Sequence, residues 1–91
     1  MYKIYTVCVN GMGSSLILRM TVEKAVQQLG IDAQVKAIDL GQLKGMKPDI
    51  CITSPFLAKS IEKREGMTII STTSFTDVEA MKQKLKQALN L

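Results

Sequence analysis

A cysteine at position 8, glycines at 11 and 13 and serines at 14 and 15 stand together in the run CVNGMGSS. The thiol closes an apolar run, Ile4-Tyr5-Thr6-Val7, and the serines precede an apolar-periodic segment that begins at Leu16. This is the pattern of a strand, a tight glycine loop and a helix N-terminus, with a thiol at the mouth of the loop. Backbone N–H groups in such a loop converge on one point, and the helix dipole adds partial positive charge there. A field that holds a phosphate also favours thiolate over thiol. The stretch therefore offers both a nucleophile and a cradle for the group it would receive.

Several familiar chemistries do not fit these spacings. The dinucleotide fingerprint G-x-G-x-x-G fails, because Leu16 stands where the third glycine belongs, and no G-K-[ST] follows to make a P-loop. A cysteine phosphatase wants C-x5-R, and Ser14 occupies the arginine position, so no guanidinium stabilises a phosphoryl transition state from there. No Asp is obviously placed as leaving-group acid and water activator. The chain contains no His, which excludes Cys–His and Ser–His mechanisms within it. What remains is a thiolate and an anion cradle without the equipment for hydrolysis, as suits a carrier that must not lose its phosphoryl group to water.

The elements that must hold this loop can be read in order. A first strand over residues 3–9 is apolar enough to be central and buried on both faces. A helix over 14–29 buries Leu18, Val22, Ala25 and Leu29, widened by Ile17 and Val26, and exposes Arg19, Glu23 and Gln27, with Gly30 as its stop. A second strand at 33–38 alternates as an edge strand does, and any helix between Asp39 and Pro48 is short and weak. A third strand at 49–53 leads into Ser54-Pro55, an N-cap with proline at the first helical position, opening a helix that runs to about Glu65. A fourth strand at 67–71 is followed by the polar loop 71–74. Thr76 to Glu79 matches a capping box for a last helix that buries Val78, Met81, Leu85 and Leu89 and exposes Lys82, Lys84 and Lys86.

Alternating strands and helices imply a single domain over residues 1–91. The fold class is α/β: a three-layer α/β/α sandwich on a four-stranded parallel sheet of order 2-1-3-4, Rossmann- or flavodoxin-like. Ligands in such sheets sit beyond the strand C-termini, at the switch point beside the first strand, where Cys8 falls.

Composition narrows the partners. A net charge of +4, few aromatics and no basic block favour an acidic partner face or an anionic ligand over nucleic acid. No apolar run approaches the roughly 20 residues of a membrane span. The first residues, MYKIYTVCV, are too short and polar for a secretory signal, so a cytoplasmic protein is expected. Two Cys without His or CxxC give no basis for a metal site, a redox dithiol or a cofactor.

The run CVNGMGSSLILRM at positions 8–20 resembles the active-site loop of enzyme IIB components of the bacterial sugar phosphotransferase system (PTS). It is most similar to the ascorbate-type loop, C-x-N-G-x-G-S-S-x-I-x-x-M. Mannitol-type IIB domains share the G-M-G-S-S portion, and lactose/cellobiose-type ones share the Cys and the serine-rich turn. The resemblance extends over the whole chain in length and element order, but only this loop is specific; from Asp39 onward it is one of pattern. It implies a protein-phosphohistidine–sugar phosphotransferase component. Cys8 would take phosphate from a phosphohistidine on a IIA partner and pass it to a sugar or sugar acid, L-ascorbate for this type, held by the membrane-embedded IIC partner. Backbone N–H groups across Asn10, Gly11, Met12, Gly13, Ser14 and Ser15, with the two serine hydroxyls, would hold the phosphoryl oxygens.

Each residue also has a plainer use. Cys8 would serve as a small core hydrophobe, Ser14 and Ser15 as helix caps, the glycines as turn formers and Asn10 as a brace for the turn. Cys51 reads as buried and inert, next to the first strand, with oxidation to Cys8 conceivable but not expected. Thr53, Ser54 and Pro55 end a strand beside Cys8 and border the site or merely cap a helix. Met12 and Leu16 form an apolar collar for partners or pack inward. Two rival functions remain: a small Cys-dependent phosphatase or arsenate reductase, and a non-catalytic anion-binding regulatory module.

Overall fold

Ile4, Tyr5, Thr6 and Val7 are all buried, and a strand with both faces covered has to lie between helices. A computed structural model describes residues 1–8, 13–61 and 65–91, with Cys8 and residues 13–15 described by their backbone. The chain runs β1 (Tyr2–Cys8), α1 (Gly13–Leu29), β2 (Ala33–Asp39), α2 (Leu40–Leu43), β3 (Ile50–Thr53), α3 (Pro55–Ala58), β4 (Thr68–Ser71) and α4 (Val78–Leu89). The four strands pair in parallel in the order β2-β1-β3-β4, as the alternation of elements implies.

The alternation of side chains along the strands sorts the core into two layers. On one face, Ile4, Ile50, Ile52 and Ile70 pack with Leu18, Val22, Ala25 and Val26 of α1 and with Met81 and Leu85 of α4. On the other, Tyr5, Val7, Ile38 and Cys51 pack with Leu43 of α2 and with Ile61 beyond α3. Gly30 ends α1 at φ +71°, with the Ile31 N–H on the Val26 carbonyl and the Gly30 N–H on that of Gln27. That reciprocal pair is the Schellman arrangement, and glycine accepts its left-handed backbone without a Cβ clash. Asn90 takes the left-handed position after α4, at φ 58°, with the Leu91 N–H on the Lys86 carbonyl.

Four local expectations are corrected. Ile17 is exposed, because the buried arc of α1 runs from Thr21 through Leu18 to Val26, and Ile17 lies about 100° of helical rotation away from Leu18. The helix from Pro55 ends at Ala58. The Ser60 and Ile61 N–H groups turn to carbonyls three residues back, which tightens the chain and carries Ile61 into the core. The N-cap of α4 is Asp77, whose Oδ1 accepts from the Ala80 N–H at 3.1 Å, one residue later than Thr76. A carboxylate there also meets the positive end of the helix dipole. Lys82 is half-buried and sits 3.4 Å from Glu79, so the lysine face of α4 is only partly solvated.

Candidate active site

All four strands point the same way, so their C-terminal ends and the segments that follow gather along one edge. Cys8 is the last residue of β1, and α1 opens five residues later at Gly13. Asn10, Gly11 and Met12 lie outside the described residues, and Gly13, Ser14 and Ser15 form the first turn of α1. Beside Cys8 on the β2 side the register places Asp39. On the β3 side lie Thr53 and Ser54, where the chain leaves the sheet.

Asp39 is a residue that the sequence reading passed over. Its backbone lies one strand spacing from that of Cys8, about 4.8 Å, and a phosphatase would want an acid in that neighbourhood. One of its two oxygens is already engaged. Asp39 Oδ1 accepts from the Gln42 N–H at 2.7 Å, and Gln42 Oε1 accepts from the Asp39 N–H at 3.0 Å, a complete capping box. A Cβ on Gly41 would stand 3.3 Å from that carboxylate oxygen, so a side chain there would crowd the cap. The signal was present in the sequence as Asp followed three residues later by Gln.

The opposite side is held by hydroxyls. Thr53, fully buried, donates from Oγ1 to the Val7 carbonyl at 2.7 Å. Its own carbonyl accepts from the Thr72 N–H at 2.9 Å. Thr72 and Ser74 close a small turn through the Thr72 hydroxyl, at 3.1 and 3.2 Å. The Thr21 hydroxyl of α1 donates to the Phe75 carbonyl, tying the segment after β4 to the helix that begins beside Cys8. Ser54 caps α3 by accepting from the Leu57 N–H at 3.4 Å, as its place before Pro55 implies.

Around this edge the surface turns apolar. Leu16, Ile17 and Met20 on the first turns of α1 are 47%, 48% and 55% exposed, and Phe56 at the start of α3 is 79% exposed. The second half of the outer face of α1 is instead Glu23, Lys24, Gln27 and Gln28. Cys51 is fully buried and pairs with Tyr5, three residues before Cys8. That offset is about 10 Å along the strand, past the roughly 7 Å between Cα atoms that a disulfide spans. Among the described residues, no group of three or more His, Cys, Asp or Glu side chains could hold a metal ion. No described helix is long and apolar enough to cross a membrane.

Fold and edge define an open parallel α/β protein whose switch point, between β1 and β3, carries a cysteine before a helix. The comparisons make the class specific. Residues 3–87 match the model of the PTS lactose/cellobiose-specific IIB subunit family. The chain is 35% identical over 88 residues to the ascorbate-specific PTS system EIIB component of Mycoplasma pneumoniae, covering 94% of this chain and 93% of that protein. It is 39% identical over 61 residues to the protein of that description from Shigella sonnei and 38% to the one from Escherichia coli O157:H7, in each case over 65% of this chain and 60% of the relative. The chain belongs to the PTS lactose/cellobiose-specific IIB family and is an EIIB component.

Proposed function

We propose that this chain is the phosphocarrier of a phosphotransferase system for ascorbate or a closely related sugar acid, working in the cytoplasm as one IIB unit over residues 1–91. Cys8 accepts a phosphoryl group from a phosphohistidine of a IIA partner and hands it to the substrate bound by a membrane IIC partner. In the first step an S–P bond forms and the P–N bond breaks; the electron pair stays on the imidazole, which recovers the proton given up by the thiol. In the second, a substrate hydroxyl oxygen attacks phosphorus, the S–P bond breaks, and sulfur leaves as thiolate while the hydroxyl proton passes to water. The thiol needs no acid to leave when the helix dipole keeps its pKa low. Amide groups from Asn10 through Gly11, Met12 and Gly13 to Ser15, with the hydroxyls of Ser14 and Ser15, hold the phosphoryl oxygens, so the reaction rests on positioning and charge.

The observation that carries this reading is the position of Cys8 at the end of β1, next to the start of a 17-residue helix at the switch point of the sheet. The capping role of Asp39 supports carrier over hydrolase, because the carboxylate nearest in register is engaged by Gln42. The exposed collar of Leu16, Ile17 and Met20 supports a site that works against other proteins. Ascorbate is favoured over a disaccharide because the relative aligned over most of this chain carries the ascorbate description.

The test is phosphoryl uptake from phosphoenolpyruvate through the general phosphotransfer proteins and a cognate IIA. Intact-mass measurement should show one added phosphoryl group, lost in Cys8→Ser. Steady turnover of an aryl phosphate would favour a phosphatase instead, and absence of any phosphoryl uptake would favour a regulatory module.

A further inference from the structure

The rungs between β1 and β3 stop early. Backbone pairing runs from Ile4 opposite Ile50 to Thr6 opposite Ile52, while β1 continues to Cys8 against β2 and β3 continues to Thr53 against β4. The cause is local: Ser54 turns out of the sheet to cap α3, and Pro55 has no N–H to offer. At the first place without a rung, the Thr53 hydroxyl takes the Val7 carbonyl at 2.7 Å. A side chain thus replaces a backbone partner at the point where the two central strands part.

We propose that Thr53 is a positioning residue for the phosphoryl relay, its hydroxyl clamping the Val7–Cys8 peptide so that the thiol faces the incoming phosphoryl group. The inference rests on reading Cys8 as the phosphoryl acceptor. The carbonyl that Thr53 holds belongs to the peptide unit whose N–H is that of Cys8. Fixing that plane sets the backbone angles on either side of it, and with them the direction in which the Cys8 side chain leaves the chain. The clamp is itself anchored, because the Thr53 carbonyl is held by Thr72 of the segment after β4. Thr53 is also an odd choice for packing alone. It is fully buried at the end of a strand whose other residues read Ile-Cys-Ile, where valine would fill the space without a hydroxyl to satisfy.

Thr53→Val keeps shape and removes the clamp; Thr53→Ser keeps the clamp and removes a methyl group. Three quantities are measured on the full chain: saturation kinetics of phosphoryl uptake from phosphorylated IIA, the pH profile of Cys8 alkylation by iodoacetamide without any partner, and the melting temperature. Thr53→Val should lower kcat by about tenfold or more with KM for phosphorylated IIA within about twofold, since misplacement costs rate before affinity. Its alkylation profile should move to higher pH as the thiol drifts from the amide dipoles. Thr53→Ser should lower the melting temperature yet keep the wild-type profile and a kcat within about threefold, because the hydroxyl remains. The proposal is overturned if Thr53→Val matches wild type in both kcat and pH profile, or if Thr53→Ser loses rate in step with its melting temperature; the serine variant decides even if the valine variant does not fold. Failure of the wild-type protein to take up phosphate at Cys8 would instead sink the carrier reading, and the alkylation profiles would still judge the clamp.

Discussion

The two faces of the sheet are built on different principles. One is covered by α1 and α4, of 17 and 12 residues, which bury Leu18, Val22, Met81 and Leu85 against Ile4, Ile50 and Ile52. The other carries α2 and α3, of four residues each, too short to sustain themselves by internal hydrogen bonding. These are held by polar caps: Asp39 with Gln42, and Ser54 ahead of Pro55. The long helices supply stability by burying apolar area. The short ones place caps and hydroxyls at the strand ends beside Cys8. Stability and positioning are thus assigned to opposite sides of one sheet, and substitutions on the two sides should fail in different ways.

The largest effect should come from the long-helix face. Leu85→Ala removes a fully buried side chain and should cost about 2–5 kcal/mol in urea unfolding, with phosphoryl uptake by the surviving folded fraction unchanged. If the loss were below about 1 kcal/mol, that face would not be the principal store of stability. Next, the double change Ile17→Ser, Met20→Ser should leave the melting temperature alone, since both residues are exposed. It should raise KM for phosphorylated IIA about tenfold, equivalent to about 1.4 kcal/mol of docking energy. An unchanged KM would move the docking surface away from α1.

Asp39→Ala tests the short-helix face. Loss of the cap should cost about 1 kcal/mol of stability while phosphoryl uptake persists, whereas a catalytic acid at this position would take the activity with it. The smallest effect belongs to the exposed pair Arg19–Glu23, at 3.2 Å and one turn apart on α1. Glu23→Gln should shift stability by no more than about 0.5 kcal/mol, and less in high salt, as measured by urea unfolding at two ionic strengths.

Much of this architecture was legible in the one-dimensional pattern. The parallel sheet and its strand order follow from alternating elements and from a first strand that carries no charge between Ile4 and Val7. The proline after Ser54 and the glycine after Leu29 marked real helix boundaries, because those residues act through their own backbone. The Asp39–Gln42 box is equally local, an Asp followed three residues later by Gln. The early end of the helix at Ala58 and the outward turn of Ile17 were not legible. The first depends on the tighter turn that carries Ile61 into the core, the second on which arc of α1 the sheet covers, a question that periodicity leaves open to within a residue.

The sequence by itself determined the order of the elements, the cysteine before the glycine- and serine-rich run and the membership in the IIB family, since each is written in neighbouring residues. Tertiary structure alone decided that Thr53 meets Val7, 46 positions away, that Asp39 stands opposite Cys8, and that Thr21 holds the Phe75 carbonyl. Those contacts depend on strand register and on how a helix is rotated against the sheet. Register and rotation are set by the packing of the whole core, so no short stretch of the chain encodes them.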